Sequence, residues 1–232
     1  MQQNVVMVTG GGRGIGRAIG RRFAREGAMV VGLARSQEQL DETKRLVEGD
    51  GGRFAGLACD VTSTDQLEQA IRESARRFGR VDVLVNNAGA VACGSAADLA
   101  GADFERLLRV NVAAVFYACK FVWPIMVGQG GGTIVNISSA AADDPFPGLG
   151  TYGACKAWGN AFTKGLAAEG KAVGIGVFSV GPGAVETDML RGAFPDYPAD
   201  QCLDPAEVAE AVFGLTRPAM VHASGQTVYL RR

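Results

Sequence analysis

Residues Asn4–Gly16 read NVVMVTGGGRGIG. A continuous β-branched and apolar run passes straight into glycines, and an amphipathic stretch begins near Gly14. Glycines let the main chain approach a pyrophosphate closely, and a helix start offers unpaired N–H groups with a partial positive charge. A strand, a glycine turn and a helix in the first unit of the chain therefore read as a phosphate cradle. A plain glycine-rich turn is the alternative for the same residues.

Outward from this loop the same alternation repeats. Short apolar runs lie at Val5–Val8, Met29–Ala34, Phe54–Ala58, Val81–Val85, Thr133–Ile137, Ile175–Val180 and Thr227–Leu230. Their continuous apolar character suits parallel strands covered on both faces. Helical stretches fall at about 14–26, 37–50, 63–78, 102–127, 151–170 and 205–215. This order predicts one α/β domain over 1–232, a doubly wound parallel seven-stranded sheet flanked by helices. Only Gly128–Gly132 and Met189–Leu203 lack a clear period. A loop of the second kind in a compact domain tends to be functional, so a short substrate lid is expected at about 188–204.

Composition narrows the function. With 23 Lys and Arg against 24 Asp and Glu, the net charge of -1 excludes a generic basic nucleic-acid binder. Glycine, 33 of 232 residues, is about twice as frequent as usual, with no collagen triplets or linkers to account for it. Five widely spaced cysteines without a CxxC pair suit reduced thiols in a cytoplasmic protein. A single histidine, His222, and no cysteine cluster argue against a metal site. The longest apolar stretch, Val110–Val127, contains Asn111, Lys120 and Pro124, and reads as a buried helix and not a membrane span.

The end of the second predicted strand bears on the choice of dinucleotide. An Asp or Glu there hydrogen-bonds the adenosine ribose of NAD. Here the residues are Val30-Val31-Gly32-Leu33-Ala34-Arg35-Ser36, with no acid. Arg35 attracts a 2′-phosphate through charge-assisted hydrogen bonds, and Arg13 in the glycine loop is placed to join it. The expectation is NADP(H), with NAD(H) second. The alternative is that both arginines are simply solvated.

Thr151–Trp158 reads TYGACKAW. Tyr152 and Lys156 share one helix face, a turn apart. A fixed ammonium favours the phenolate and makes the phenol a usable acid–base group. Ser139 follows the strand Thr133–Ile137, at the carboxyl edge where open α/β sheets bind ligands. Asn111 interrupts the apolar segment Arg109–Val115, either as a helix kink or as a link in a water-mediated proton path. Cys155 is read as a packing residue.

Together these residues resemble the compact, single-domain short-chain dehydrogenase/reductases. TGGGRGIG at 9–16 is similar to that family's TGxxxGxG, and Asn86-Asn87-Ala88-Gly89 to its NNAG. Asn111, Ser139, Tyr152 and Lys156 fall in the order and spacing of its catalytic tetrad. Pro182-Gly183 with Val185 and Thr187 is similar to the segment lining the nicotinamide. The resemblance covers the whole chain and leans toward 3-oxoacyl-acyl-carrier-protein reductases.

It implies a Rossmann-type fold and an oxidoreductase that moves hydride between nicotinamide and a carbonyl or secondary alcohol. Tyr152 would be the acid–base group, Lys156 would lower its pKa and bind the nicotinamide ribose, Ser139 would polarise the carbonyl, and Asn111 would hold a relay water. Cofactor contacts would come from Gly10, Gly12, Arg13, Gly14, Ile15, Gly16, Arg35, Asp60, Val61, Asn87, Ala88, Gly89, Tyr152, Lys156, Pro182, Gly183, Val185 and Thr187. The substrate would be a small carbonyl or alcohol, and helices 102–127 and 151–170 would join copies into a homotetramer or homodimer. An NAD-dependent sugar, steroid or alcohol dehydrogenase is the second reading; the missing acid after the second strand opposes it. A dinucleotide-binding sensor or scaffold without turnover is the third; four filled tetrad positions oppose it. Gly181 beside Pro182 and the Arg231-Arg232 ending depart from the family pattern, which weakens any inference about substrate.

Overall fold

A computed structural model describes residues 4–232. Seven strands form one parallel sheet in the order β3-β2-β1-β4-β5-β6-β7. They are β1 (Val5–Thr9), β2 (Met29–Ala34), β3 (Arg53–Ala58), β4 (Val83–Asn86), β5 (Gly132–Ile137), β6 (Ile175–Pro182) and β7 (Thr227–Leu230). Every residue of β1, β4 and β6 is buried, whereas edge strand β7 is half-buried throughout. The unbroken apolar runs thus mark the strands covered on both faces. Seven strands were expected, and the structure moves their ends by no more than two residues, the largest shifts being the start of β4 at Val83 and the end of β6 at Pro182.

Alternation along each strand sends side chains to two cores. Val6, Val8, Val30, Val85 and Phe178 meet α1 (Gly14–Arg25), α2 (Gln37–Gly49) and α8 (Pro205–Leu215). Val5, Met7, Val31, Leu84 and Val177 meet α3 (Thr64–Phe78), α5 (Ala114–Gly128) and α6 (Gly150–Gly170). Each such fully buried aliphatic side chain stabilises the fold by about 1.5–3 kcal/mol. The chain reverses direction across the sheet between β1 and β4, which opens a crevice at the carboxyl ends of those strands.

Two expectations need correction. The helix expected over 102–127 runs unbroken from Gly101 to Gly128 but is not uniform. It consists of α4 (Gly101–Leu108), a π-helical turn at Arg109–Ala113 and α5. The extra residue in that turn is accommodated because Asn111 is bonded sideways to Ala90, away from its own helix. Nor is this run simply buried. Gly101–Gly128 is long and apolar enough to cross a membrane, and only 33% of its apolar window is inside the fold. Phe104, Phe116 and Val127 lie exposed on it. The segment after β6, expected without regular structure, holds the short helix α7 (Asp188–Ala193) and a 3-10 turn at Ala199–Gln201.

Candidate active site

The glycine loop leaves β1 at Thr9 and enters α1 at Gly14. Gly10 and Gly14 adopt φ values of 68° and 51°, a region glycine enters without cost. A Cβ on Gly16 would stand 2.2 Å from the Gly10 carbonyl oxygen, so that position must lack a side chain. The loop is braced from outside. Thr43 Oγ1 donates to the Gly12 carbonyl at 2.9 Å, and the Arg17 guanidinium donates to the same oxygen at 2.7 and 3.2 Å. Arg17 and Thr43 were not foreseen from the sequence.

The helix start fits an anion. No side chain caps the N-terminus of α1, and its first turn carries no acid. Its unpaired N–H groups are therefore available to a pyrophosphate. Facing them across the crevice is Thr187, whose methyl group would lie 3.3 Å from a Cβ on Gly14. Thr187 also caps α7, its hydroxyl accepting from Leu190 N at 3.3 Å.

The NNAG segment is clamped to the end of β1. Thr9 Oγ1 accepts from the backbone N–H groups of Asn87 and Ala88, each at 3.0 Å. Asn87 Nδ2 donates to Thr9 O at 2.9 Å and Gly10 O at 3.3 Å. Asn86 sits opposite Asn136 in the β4–β5 register, and their side chains bond at 2.9 Å. Asn136 passes the network on to Thr163 of α6 at 2.9 Å.

The four expected catalytic residues come to this same edge. Ser139 follows β5; its hydroxyl accepts from Ala141 N at 3.2 Å and lies near enough to the half-buried Tyr152 phenol to favour its ionised form. The buried Lys156 ammonium donates to Ile137 O at 2.9 Å and lies 5.7 Å from the centre of the Tyr152 ring. Asn111 is also buried, donating to Ala90 O at 2.8 Å and accepting from Ala90 N at 3.2 Å. A Cβ on Gly89 would stand 3.3 Å from Asn111 Oδ1 and 3.6 Å from Lys156 Nζ; the glycine lets those two groups share one space.

The electrostatics differ from a simple Lys-to-Tyr pairing. Burial lowers the Lys156 ammonium to about 8. Burial raises the Tyr152 phenol above its ordinary value, against a lowering by the Ser139 hydroxyl. In the chain alone, Ser139 and not Lys156 opposes that rise, because the ammonium is turned toward Ile137.

The expected phosphate readers lie at the rim. Arg13 is exposed and pairs with Asp188 at 3.3 Å. Arg35 is exposed too. Burial pushes the Asp60 carboxyl up, but hydrogen bonds from Thr62 and the charge of Arg35 leave it lowered overall. Ile15 and Val61 lend side chains to the two cores. Pro182 ends β6, Gly183 N donates to Leu230 O at 2.8 Å, and buried Val185 bridges to Leu203.

Residues 4–198 match the family model described as short chain dehydrogenase. The chain is 32% identical to a 3-oxoacyl-acyl-carrier-protein reductase of Vibrio cholerae, covering 99% of this chain and 96% of that one. It is 35% identical to dehydrogenase/reductase SDR family member 4 of Bos taurus, over 94% of this chain and 76% of that one. An actinorhodin polyketide ketoreductase variant with NADPH superposes with a TM-score of 0.93 at 33% identity, covering 99% and 96% of the two chains. A 7 alpha-hydroxysteroid dehydrogenase complexed with NADH and 7-oxo glycochenodeoxycholic acid superposes with a TM-score of 0.92 at 30% identity, covering 98% and 92%. The likeness in sequence and in fold extends along nearly the whole chain, which belongs to the short-chain dehydrogenase family as an oxidoreductase acting on carbonyl and hydroxyl groups.

Proposed function

We propose that this chain is an NADP(H)-dependent carbonyl reductase, with a ketone or a 3-oxoacyl thioester as substrate. The observation that carries the reading is the gathering of Ser139, Tyr152 and the buried Lys156 at one strand edge, with the ammonium 5.7 Å from the Tyr152 ring and held by Ile137 O at 2.9 Å. Two hydroxyls converge where a carbonyl oxygen would sit, and one of them belongs to a group able to release a proton. The nicotinamide supplies the hydride when bound. The chain's own part is to hold and protonate the other end of the bond: Ser139 donates a hydrogen bond to the carbonyl oxygen and Tyr152 delivers the proton. Lys156 binds the ribose, and Asn111 with Ala90 holds the relay water. Gly10–Gly16 and Thr187 would hold the cofactor's pyrophosphate, Asn87, Ala88, Gly89, Asp60, Val61, Pro182, Gly183 and Val185 would line its course, and the lid at 188–204 would cover it. The 3-oxoacyl-acyl-carrier-protein reductase relative supports the thioester.

NADP(H) rests on Arg13 and Arg35, with no acid at the end of β2. One observation favours NAD(H) as the second reading. Asp188 already pairs with Arg13, and Asp60 lies close enough to feel the charge of Arg35. Titration with NADPH and NADH, read by nicotinamide fluorescence, separates the two. Turnover of an acetoacetyl thioester with NADPH supports the reductase; oxidation of alcohols or sugars with NAD and no reduction of ketones overturns it.

The assembly proposed is a homotetramer or homodimer through the apolar face of α4–α5 and α6. One ring contact already bridges α5 and α6 within one chain, Phe116 to Phe162 at 6.0 Å, and within α6 Phe162 stacks on Trp158 at 4.7 Å. Phe116 and Phe104 remain exposed beside them. A contiguous apolar face of this kind marks an interface; a monomeric mass in light scattering would refute it. The cytoplasm is the proposed location, supported by five unpaired cysteines.

A further inference from the structure

Between β6 and α8 the chain runs out over the carboxyl edge of the sheet and back again. Its neck is closed by the Val185–Leu203 bridge, with Glu186 N donating to Leu203 O at 3.0 Å and Leu203 N to Ala184 O at 2.9 Å. The neck encloses Glu186–Cys202, which has only six residues of α-helix to hold it together.

One side chain does so. Arg191 Nε donates to Glu186 Oε1 at 2.7 Å, and Nη2 donates to Glu186 Oε2. Nη1 donates to the Tyr197 carbonyl at 2.6 Å and the Pro195 carbonyl at 3.2 Å. Nη2 also donates to Cys202 Sγ at 3.9 Å. All five N–H groups of the guanidinium are thus spent within one short loop. Their partners come from its start, its middle and its end. The Cys202 thiol in turn donates to Pro198 O at 3.4 Å, and Arg232 Nε donates to Cys202 O at 3.1 Å.

We infer that Arg191 is the positioning residue of the substrate lid, folding residues 186–202 into one unit before any ligand arrives. A loop ordered in advance loses less entropy when it closes on a ligand, which strengthens binding without touching the reacting atoms. A planar fork is required. Lysine carries the charge but cannot bond a carboxylate at both oxygens while reaching two carbonyls. Arg191 therefore acts on substrate affinity and leaves the chemical step to the Tyr152 cluster. The inference rests on the proposed reductase reading only for its choice of probe.

The test uses the full chain with NADPH and the N-acetylcysteamine thioester of acetoacetate. Arg191→Lys and Arg191→Met should each raise the KM for the thioester at least tenfold. The kcat should stay within twofold of the parent, and the NADPH Kd, to which Thr187 of the same loop contributes, should rise by less than the KM for the thioester. Amides of 186–203 should exchange with solvent at least tenfold faster in both variants, with β5 and α6 unchanged. Glu186→Gln should move KM and exchange in the same direction by less. An unchanged KM overturns the inference even if lid exchange accelerates, because Arg191 would then shape a loop that does not bear on substrate. Loss of protection across the whole sheet, or a kcat that falls with KM, overturns it as well. If Arg191→Met fails to fold, Arg191→Lys decides, since it keeps the charge and the apolar stem. If the parent does not turn over the thioester, the reductase reading fails and the KM comparison is made with a secondary alcohol that the parent oxidises; a raised KM with faster exchange confined to 186–203 supports the lid role, and an unchanged KM or unchanged exchange refutes it.

Discussion

The Lys156 ammonium donates to the carbonyl of Ile137 across 2.9 Å, two residues before Ser139 on the strand that carries the site. This bond fixes a charge at the foot of the crevice but does not offset what burial takes away, so the group titrates at about 8 in place of 10.5. Below that pH the ammonium is charged and can hold ribose hydroxyls; above it the charge is lost. The kcat/KM for NADPH, which reports the free enzyme, should therefore be level at lower pH and fall as pH rises through about 8. Lys156→Arg, charged throughout, should lower the plateau and move the fall to higher pH. A parent profile flat from pH 7 to 9.5 would rule out this assignment.

The Ser139 hydroxyl lies near the Tyr152 phenol before any substrate is present and opposes the rise that burial imposes on it. Tyr152→Phe keeps the ring, its packing against Ala90, Leu107 and Cys155, and every contact of the glycine loop. It removes only the proton donor. Turnover should drop roughly a hundred- to ten-thousand-fold, the range for a lost general acid, while NADPH affinity stays within a few-fold. Stopped-flow reduction together with fluorescence titration measures both. Activity near the parent level would remove Tyr152 from its assigned role.

Arg13 and Asp188 pair across the mouth of the crevice at 3.3 Å, with half or more of each side chain exposed. A 2′-phosphate on the cofactor would compete with Asp188 for that guanidinium. Exposed pairs of this kind are weak, so Asp188→Asn should raise NADPH affinity by only about two- to fivefold and leave NADH affinity unchanged. Arg13→Ala should cancel the gain. Arg35→Asp should weaken NADPH more than NADH. Calorimetric titration of the variants with each dinucleotide gives the comparison, and an equal response to both would show that neither arginine reads the phosphate.

The strands were legible because a sheet covered on both faces demands unbroken apolar runs, and Val5–Val8 or Ile175–Val180 can be little else. The site was legible where its chemistry is local: Tyr152 and Lys156 one helical turn apart, and glycines forced by close approach at Gly10 and Gly16. Interactions between distant positions were not. The Arg17 and Thr43 bonds to Gly12 O join α1 and α2 to the loop, and no pattern in either helix announces them. The π turn at Arg109–Ala113 preserves the apolar period on both sides, so the sequence reads as one helix although the geometry changes at Asn111. Arg191 lies in a segment whose sequence has no clear period, and a loop held by one guanidinium leaves no periodic trace.

Gly181 is the clearest such case, because the sequence marks it as a departure and only the fold gives the reason. The Tyr229 ring of β7 lies against it, 2.6 Å from where a Cβ would stand, and the Ser139 carbonyl carbon is 3.4 Å away. Tyr229 cannot easily retreat. Asn160 Nδ2 donates to its hydroxyl at 3.0 Å, and Arg231 lies over its ring at 5.6 Å. Gly181→Ala should therefore push on both the ring and the Ser139 turn. Overpacking of this kind costs about 1–3 kcal/mol, and the displaced Ser139 should lower kcat more than it raises the KM for NADPH. Tyr229→Val makes room, so in the double variant the two losses should be less than additive, with a coupling of about 0.5–3 kcal/mol. Denaturant melts and kinetics on the four proteins of the cycle decide the matter: strict additivity would mean that residue 181 is glycine for a reason unconnected with the Tyr229 ring.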